Sequence, residues 1–213
     1  MHASSASIAS PRFNAPVTLH ARGARPARAI LFHAAQSEIY AQGEQAGALY
    51  RIEYGAVHIY RLLADGRRQV VAFHIAGETF GFEARKMHSF FAESIVPTGL
   101  VAIDAHADGR YGPDLVTLAL RNMVRAQEHL LVLGRQNSVE KVAVFLVDLN
   151  ERQGGSGHID LPMTRTDIGD YLGMTIETAS RSLSKLRDMG ILRITSTRTL
   201  EIIRADRLRL LAE

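Results

Sequence analysis

The sequence predicts an α+β protein: an N-terminal antiparallel β-roll, a long dimerisation helix and a C-terminal winged helix-turn-helix. Three observations carry this. Short strand-like runs separated by glycines fill residues 30 to 107. From Pro113 to Arg135 the apolar residues switch to helical spacing. Met163 to Asp188, MTRTDIGDYLGMTIETASRSLSKLRD, reads as two short helices about a turn glycine.

Composition sets outer bounds. At 213 residues there is room for two modest domains, or one large one, with a sizeable core. Cysteine is absent, which excludes disulfides, thiolate metal sites and cysteine-ligated iron–sulfur clusters. No apolar run reaches membrane-spanning length, so a cytoplasmic protein is expected. The net charge of +3 permits a nucleic-acid partner without demanding one.

Residues 1–28 are rich in Ala, Ser and Arg, hold Pro11, Pro16 and Pro26, and contain no acid. They lack the continuous amphipathic helix of a presequence and read as a flexible N-terminal arm. The β-roll, residues 29–110, follows. Ala48–Glu53 is one strand and Ala56–Leu63 another, with Val57 and Ile59 alternating against His58 and Tyr60 as in a half-buried strand. Asp65-Gly66 marks a tight turn before the strand Arg67–His74. Ser89–Val96 and Leu100–Ile103 complete the set. The nine histidines show no metal-ligand spacing, so each is expected as a packing or surface residue and no metal is expected.

Residues 111–136 form the long helix. Val116, Ala119, Met123, Ala126, Leu130 and Leu133 recur at alternating spacings of three and four, a coiled-coil seam. Leu120, Val124 and Leu131 form a neighbouring stripe. Two stripes imply one face against the helix's own domain and one against a twin, hence a homodimer. The final segment, 137–213, opens with an amphipathic helix, Ser138–Arg152, burying Val142, Phe145, Leu146 and Leu149. Gly154-Gly155-Ser156-Gly157 ends it; without the spacing of a phosphate-binding loop, this is a flexible turn.

The two-helix segment is the centre of the prediction. Thr164 caps the first helix with Asp167 as its capping-box partner. Ile168 and Leu172 share an apolar face, Gly169 marks a close backbone approach, and Gly173 supplies the left-handed turn. Thr175 caps the second helix, whose inner face is Ala179, Leu183 and Leu186. Its outer face carries Ile176, Glu177, Ser180 and Arg181, with Lys185 further along. Placed in a major groove, Arg181 can donate to guanine O6 and N7, Glu177 can accept from cytosine N4, and Ser180 and Ile176 can touch thymine methyls. Thr164, Thr175, Lys185 and Arg198, the last at the tip of a predicted hairpin wing, are candidates for phosphate contacts. The same Glu177–Arg181 spacing also suits a plain surface ion pair, and only the surrounding motif favours DNA.

Glu177-Thr-Ala-Ser180-Arg181 resembles the E-x-x-S-R signature of the CRP/FNR superfamily of transcription regulators, in its FNR and FixK branches. The run IYRLLADGRRQVVAFHIAGETFGFEA is similar to FixK-like members. The resemblance covers residues 30 to 213 and implies a β-roll of the cyclic-nucleotide-binding type. It also implies a DNA-binding homodimer; separately, no paired-carboxylate, nucleophile–base or metal-ligand constellation stands out in the sequence, so no enzymatic activity is expected. The FixK-like branch implies activation of microaerobic respiration and nitrogen-fixation genes through a TTGAT-N4-ATCAA-like palindrome. RNA polymerase would be a partner, and the charged loop Gly81–His88 is a candidate contact. Cyclic-nucleotide binders place a phosphate-pairing arginine where this chain has Ser89-Phe90-Phe91-Ala92, so no cofactor is expected. A ligand- or haem-gated regulator, responding to nitric oxide or another small molecule, is the alternative.

Overall fold

The computed structural model describes residues 29–104 and 112–213; the expected arm over residues 1–28 lies outside the described residues. Eight strands come first: β1 Leu31–His33, β2 Glu38–Tyr40, β3 Ala48–Tyr54, β4 Ala56–Leu62, β5 Arg68–Ile75, β6 Thr79–Phe80, β7 Phe91–Ser94 and β8 Thr98–Asp104. They pair in two antiparallel four-stranded sheets, ordered β1-β8-β3-β6 and β2-β7-β4-β5. Tyr40, Ile52, Val57, Ile59, Phe80, Ala92 and Leu100 form the core of this β-roll. The β4–β5 hairpin turns at Asp65-Gly66, where Gly66 takes φ 82° and the Asp65 carboxylate accepts from the Arg67 N–H at 3.1 Å.

One expectation about β4 needs correction. It is not half-buried: His58 is as well covered as Val57 and Ile59. The outer face of the sheet does not meet water at this end, because a helix of the C-terminal half lies over it. The apolar cores reflect the same packing. Ala56, Val70, Phe73 and Ile75 of the β-roll belong to one cluster with Phe145, Leu146, Ile168 and Leu172.

The rest of the chain runs α1 Gly112–Gly134, α2 Ser138–Arg152, β9 His158–Asp160, α3 Arg165–Leu172, α4 Ile176–Asp188, β10 Leu192–Ile194, β11 Thr199–Ile202 and α5 Ala205–Ala212. Strands β10, β11 and β9 form a small antiparallel sheet, the wing. The glycine turn after α2 is held internally. The Gly155 N–H donates to the Asn150 carbonyl at 2.8 Å and the Gly157 N–H to its side-chain oxygen at 2.9 Å. None of the helices among the described residues is long and apolar enough to cross a membrane.

Helix α1 departs from the expected division of labour. The stripe of Leu120, Val124 and Leu131 does not pack on the chain's own β-roll. These residues and Val116, Met123 and Leu130 are all 45–75% exposed. Ala126 is exposed as well, while Ala119 and Leu133 are half-buried at the edge of that face. The inward face is a third stripe: Leu115, Leu118, Asn122, Arg125, His129 and Val132. It keeps the alternating three–four spacing, but its middle is polar. Asn122 donates to the Thr79 carbonyl at 3.1 Å and Arg125 to Glu78 at 2.9 Å. Glu78 also binds Arg152, which is buried at the end of α2 and donates to the Phe73 carbonyl at 2.6 Å.

His129 completes that inward face, stacked on Tyr171 with ring centroids 3.9 Å apart. Neither ring nitrogen has a hydrogen-bond partner among the described residues. Burial therefore lowers its pKa from 6.5 to about 4, against a small opposing pull from Asp148. The sign of the pH dependence follows. Between these two values the unfolded chain holds a proton that the folded chain does not, so acid favours unfolding. Stability is expected to fall by on the order of 2–3 kcal/mol as the pH drops from 6.5 to 4. His58 and His74, also lowered by burial, push in the same direction. Urea unfolding at stepped pH should show a shallower acid loss for His129→Phe. An unchanged slope would remove His129 from this account.

Candidate nucleic-acid interface

The scaffold beneath the candidate interface is built by local chemistry. Thr164 Oγ1 accepts from the Asp167 N–H at 3.1 Å, and the Asp167 carboxylate accepts from the Thr164 N–H at 2.8 Å and its hydroxyl at 2.7 Å. This closes the capping box of α3. Burial alone would raise the Asp167 pKa. The Thr164 hydrogen bonds and the nearby Arg68 charge outweigh it and hold the carboxyl below the ordinary range. Gly173 ends α3 in the left-handed conformation, φ 63° and ψ 46°, and its N–H donates to the Gly169 carbonyl.

Gly169 packs closely against the turn that leads into α4. A Cβ there would lie 2.7 Å from the Met174 carbonyl oxygen, which is backbone and cannot swing aside. Gly169→Ala should therefore cost about 1–3 kcal/mol by forcing α3 and α4 apart, and Gly169→Val more. Urea midpoints for the pair would check this; an unshifted midpoint for valine would rule out the close approach.

Thr175 caps α4, its Oγ1 accepting from the Thr178 N–H at 3.3 Å. Ala179, Leu183 and Leu186 are buried as the spacing predicts, joined by Ser182, whose hydroxyl donates to Ser138 Oγ at 3.0 Å. The opposite face presents Ile176, Glu177, Arg181 and Lys185 to solvent, with Ser180 half-buried beside them. The four proposed base-reading residues thus share one surface at the N-terminal end of α4. Hydrogen bonds from its own backbone N–H and from Thr175 hold the Glu177 carboxyl below its ordinary pKa, so it presents a charged acceptor.

The cations around this face fall into two groups. Arg187 and Arg193 are neutralised by Asp188 and Glu201. Among the described residues no salt bridge engages Arg181, Lys185 or Arg198. Arg198 stands exposed at the wing tip, and its carbonyl accepts from the Leu161 N–H at 2.7 Å. The hydroxyls of Thr164 and Thr175 are committed to capping, so these two residues mark helix N-termini more than free donors.

Sequence reasoning missed Arg165. It occupies the first position of α3, and its Nη2 donates to the Thr197 carbonyl of the wing tip at 3.4 Å. Its Nη1 is buried with no hydrogen-bond partner among the described residues, and burial lowers its pKa. A usable signal was present. A cation at the start of a helix opposes the helix dipole, so an arginine beside the capping Thr164 needs an anion to justify it.

Residues 140–211 match the Crp-like helix-turn-helix domain and residues 31–107 the cyclic nucleotide-binding domain. The nitrogen fixation regulation protein FixK of Rhizobium meliloti (strain 1021) is 53% identical over 172 residues, covering 81% of this chain and 82% of its own. FixK of Azorhizobium caulinodans is 37% identical over 193 residues, covering 82% of this chain and 78% of its own. The solved structure of FixK2 from Bradyrhizobium japonicum superposes with a TM-score of 0.82 at 36% identity, covering 88% of this chain and 98% of that one. The capped two-helix reading head, the β-roll and these relatives together place the chain in the CRP/FNR family of DNA-binding transcription regulators, as a FixK-like member.

Proposed function

We propose that the chain works in the cytoplasm as a homodimer that reads a TTGAT-N4-ATCAA-like palindrome and needs no cofactor. It activates microaerobic and nitrogen-fixation genes through contact with RNA polymerase. The carrying observation is the outer face of α4. Ile176, Glu177, Ser180 and Arg181 project there from a buried scaffold, near Arg165, Lys185 and Arg198, which no carboxylate among the described residues pairs in a salt bridge. Arg165, Lys185 and Arg198 then bind phosphates, alongside the helix N-termini at Thr164 and Thr175. The exposed apolar face of α1 pairs with its twin through Val116, Ala119, Met123, Ala126, Leu130 and Leu133, setting two reading heads roughly 34 Å apart. The working division is residues 29–110 for the β-roll, 111–136 for the dimer helix and 137–213 for the reading head, with 1–28 as an arm.

Two features of the β-roll support ligand independence. Aromatic rings pack together inside it, with Tyr40 stacked on His88 at 3.6 Å and tilted against Tyr50 at 6.1 Å and Phe80 at 6.2 Å. In the stretch where a cyclic phosphate would need a cation, the Glu83 carboxylate instead accepts from the Ser89 N–H at 2.8 Å and hydroxyl at 2.9 Å. A phosphate there would meet a negative charge. Arg85, Lys86 and Met87, exposed in the same loop, are the polymerase contact in this reading.

The test is selection of bound sequences from random DNA, in air and with no added ligand. Enrichment of palindromes with one G·C pair in each half-site is expected. Enrichment that begins only after a nucleotide, haem or an anaerobically built cluster is supplied overturns cofactor independence. No enrichment under any condition overturns the DNA reading as a whole.

A further inference from the structure

The C-terminal reading head is attached to the β-roll by more than the peptide chain. At the start of β5, Arg68 spreads its guanidinium between two carboxylates of α3. Its Nε donates to Asp170 at 2.9 Å and its Nη2 to Asp167 at 2.5 Å. Beside it, the Gln69 side chain donates to the Asp170 carbonyl at 2.6 Å. His58 of β4 is wedged underneath, 3.7 Å from Asp167 and 3.4 Å from Glu93 of β7. We propose that Arg68 is the positioning residue of DNA recognition: a β-roll side chain that fixes where α3, and hence the recognition helix α4, sits relative to the dimer helix.

The chemistry supports a positioning role. Asp167 and Asp170 are three residues apart on one face of α3, where like charges repel. The Arg68 fork neutralises both with directional bonds that lysine cannot reproduce. Asp167 is also the capping-box carboxylate of α3, so the group that starts the helix is the one the β-roll grips. The apolar core between β5 and α3 holds the two parts together but is non-directional; the ion pairs supply register. Because Gly173 joins α3 to α4 through a short turn, any movement of α3 carries the reading face with it. In the dimer proposed above, on which this inference rests, that position sets the distance between half-sites.

The test uses all 213 residues of the chain. It has no cysteine, so spin labels can be placed at Lys86→Cys and Ser196→Cys, both exposed, and diluted with unlabelled chain. A narrow distance distribution is expected with Arg68 present and a broadened one with Arg68→Ala. On DNA, Arg68→Ala should narrow the preference for native over one-base-pair-shifted half-site spacing by roughly tenfold. Base discrimination within each half-site should be unchanged, which a merely unfolded head would not allow. Asp170→Asn leaves the Arg68–Asp167 pair in place and should give the same changes at smaller size; it decides the matter if Arg68→Ala does not fold. Unaltered distance distributions in both variants, or unaltered spacing preference in both, overturn the inference. A wild-type chain that prefers no palindrome overturns the proposed function instead, and the distance measurement still decides for or against Arg68.

Discussion

Met123→Glu combined with Leu130→Glu is expected to yield monomers by sedimentation. Specific DNA affinity should fall by on the order of a hundred- to ten-thousandfold. The size of the effect comes from linkage. Once one reading head is bound, the second half-site is an intramolecular event at high effective concentration, and a monomer forfeits that gain. Exposure makes the test clean. Met123 is 50% and Leu130 66% exposed within one chain, so glutamate there costs little unless a twin covers it. Around a two-fold axis each glutamate meets its own copy, burying like charges together. The parallel pair Leu120→Glu with Leu131→Glu decides which part of the broad apolar face lies on the axis. A Met123/Leu130 variant that stays dimeric removes this seam from the interface.

That broad face also shows where sequence reasoning reached its limit. Capping chemistry is local, so Thr164, Asp167, Gly173 and Thr175 stand where their spacing placed them, and the α3–α4 head was readable almost residue by residue. Helix α1 was readable in its position and length but not in its orientation. Its inward stripe is interrupted by Asn122, Arg125 and His129, whose partners, Glu78 and Tyr171 among them, are distant in sequence. Apolar periodicity cannot register a face that packs through polar groups. Strands β1, β2 and β6 were missed for a related reason. Each is two or three residues long and is defined by pairings such as Leu31 with Leu100 and Tyr50 with Phe80. Arg68 is likewise ordinary in sequence and acquires meaning only from what the fold brings beside it.

Arg181→Ala is the sharpest test of base reading. In the proposed half-site TTGAT the single G·C pair is the natural target of the Arg181 fork, which can donate to both guanine O6 and N7. Its exposed position on α4, with no salt bridge among the described residues to break, means that removal should leave the fold intact and act on DNA alone. The expected loss is about 1–3 kcal/mol per half-site, and so about twice that for the dimer, with discrimination relaxed at that base pair. Glu177→Ala should relax the same position with a smaller loss of affinity. It removes an acceptor for the cytosine amine, yet it also removes a negative charge near the phosphates. Lys185→Ala provides the contrast: a phosphate contact should weaken all sequences alike and flatten the salt dependence. The measurement is binding of each variant to operators carrying every base pair at the G·C position, over a range of salt. If Arg181→Ala weakens all four operators equally, Arg181 is a phosphate anchor and the assignment of base reading to it fails.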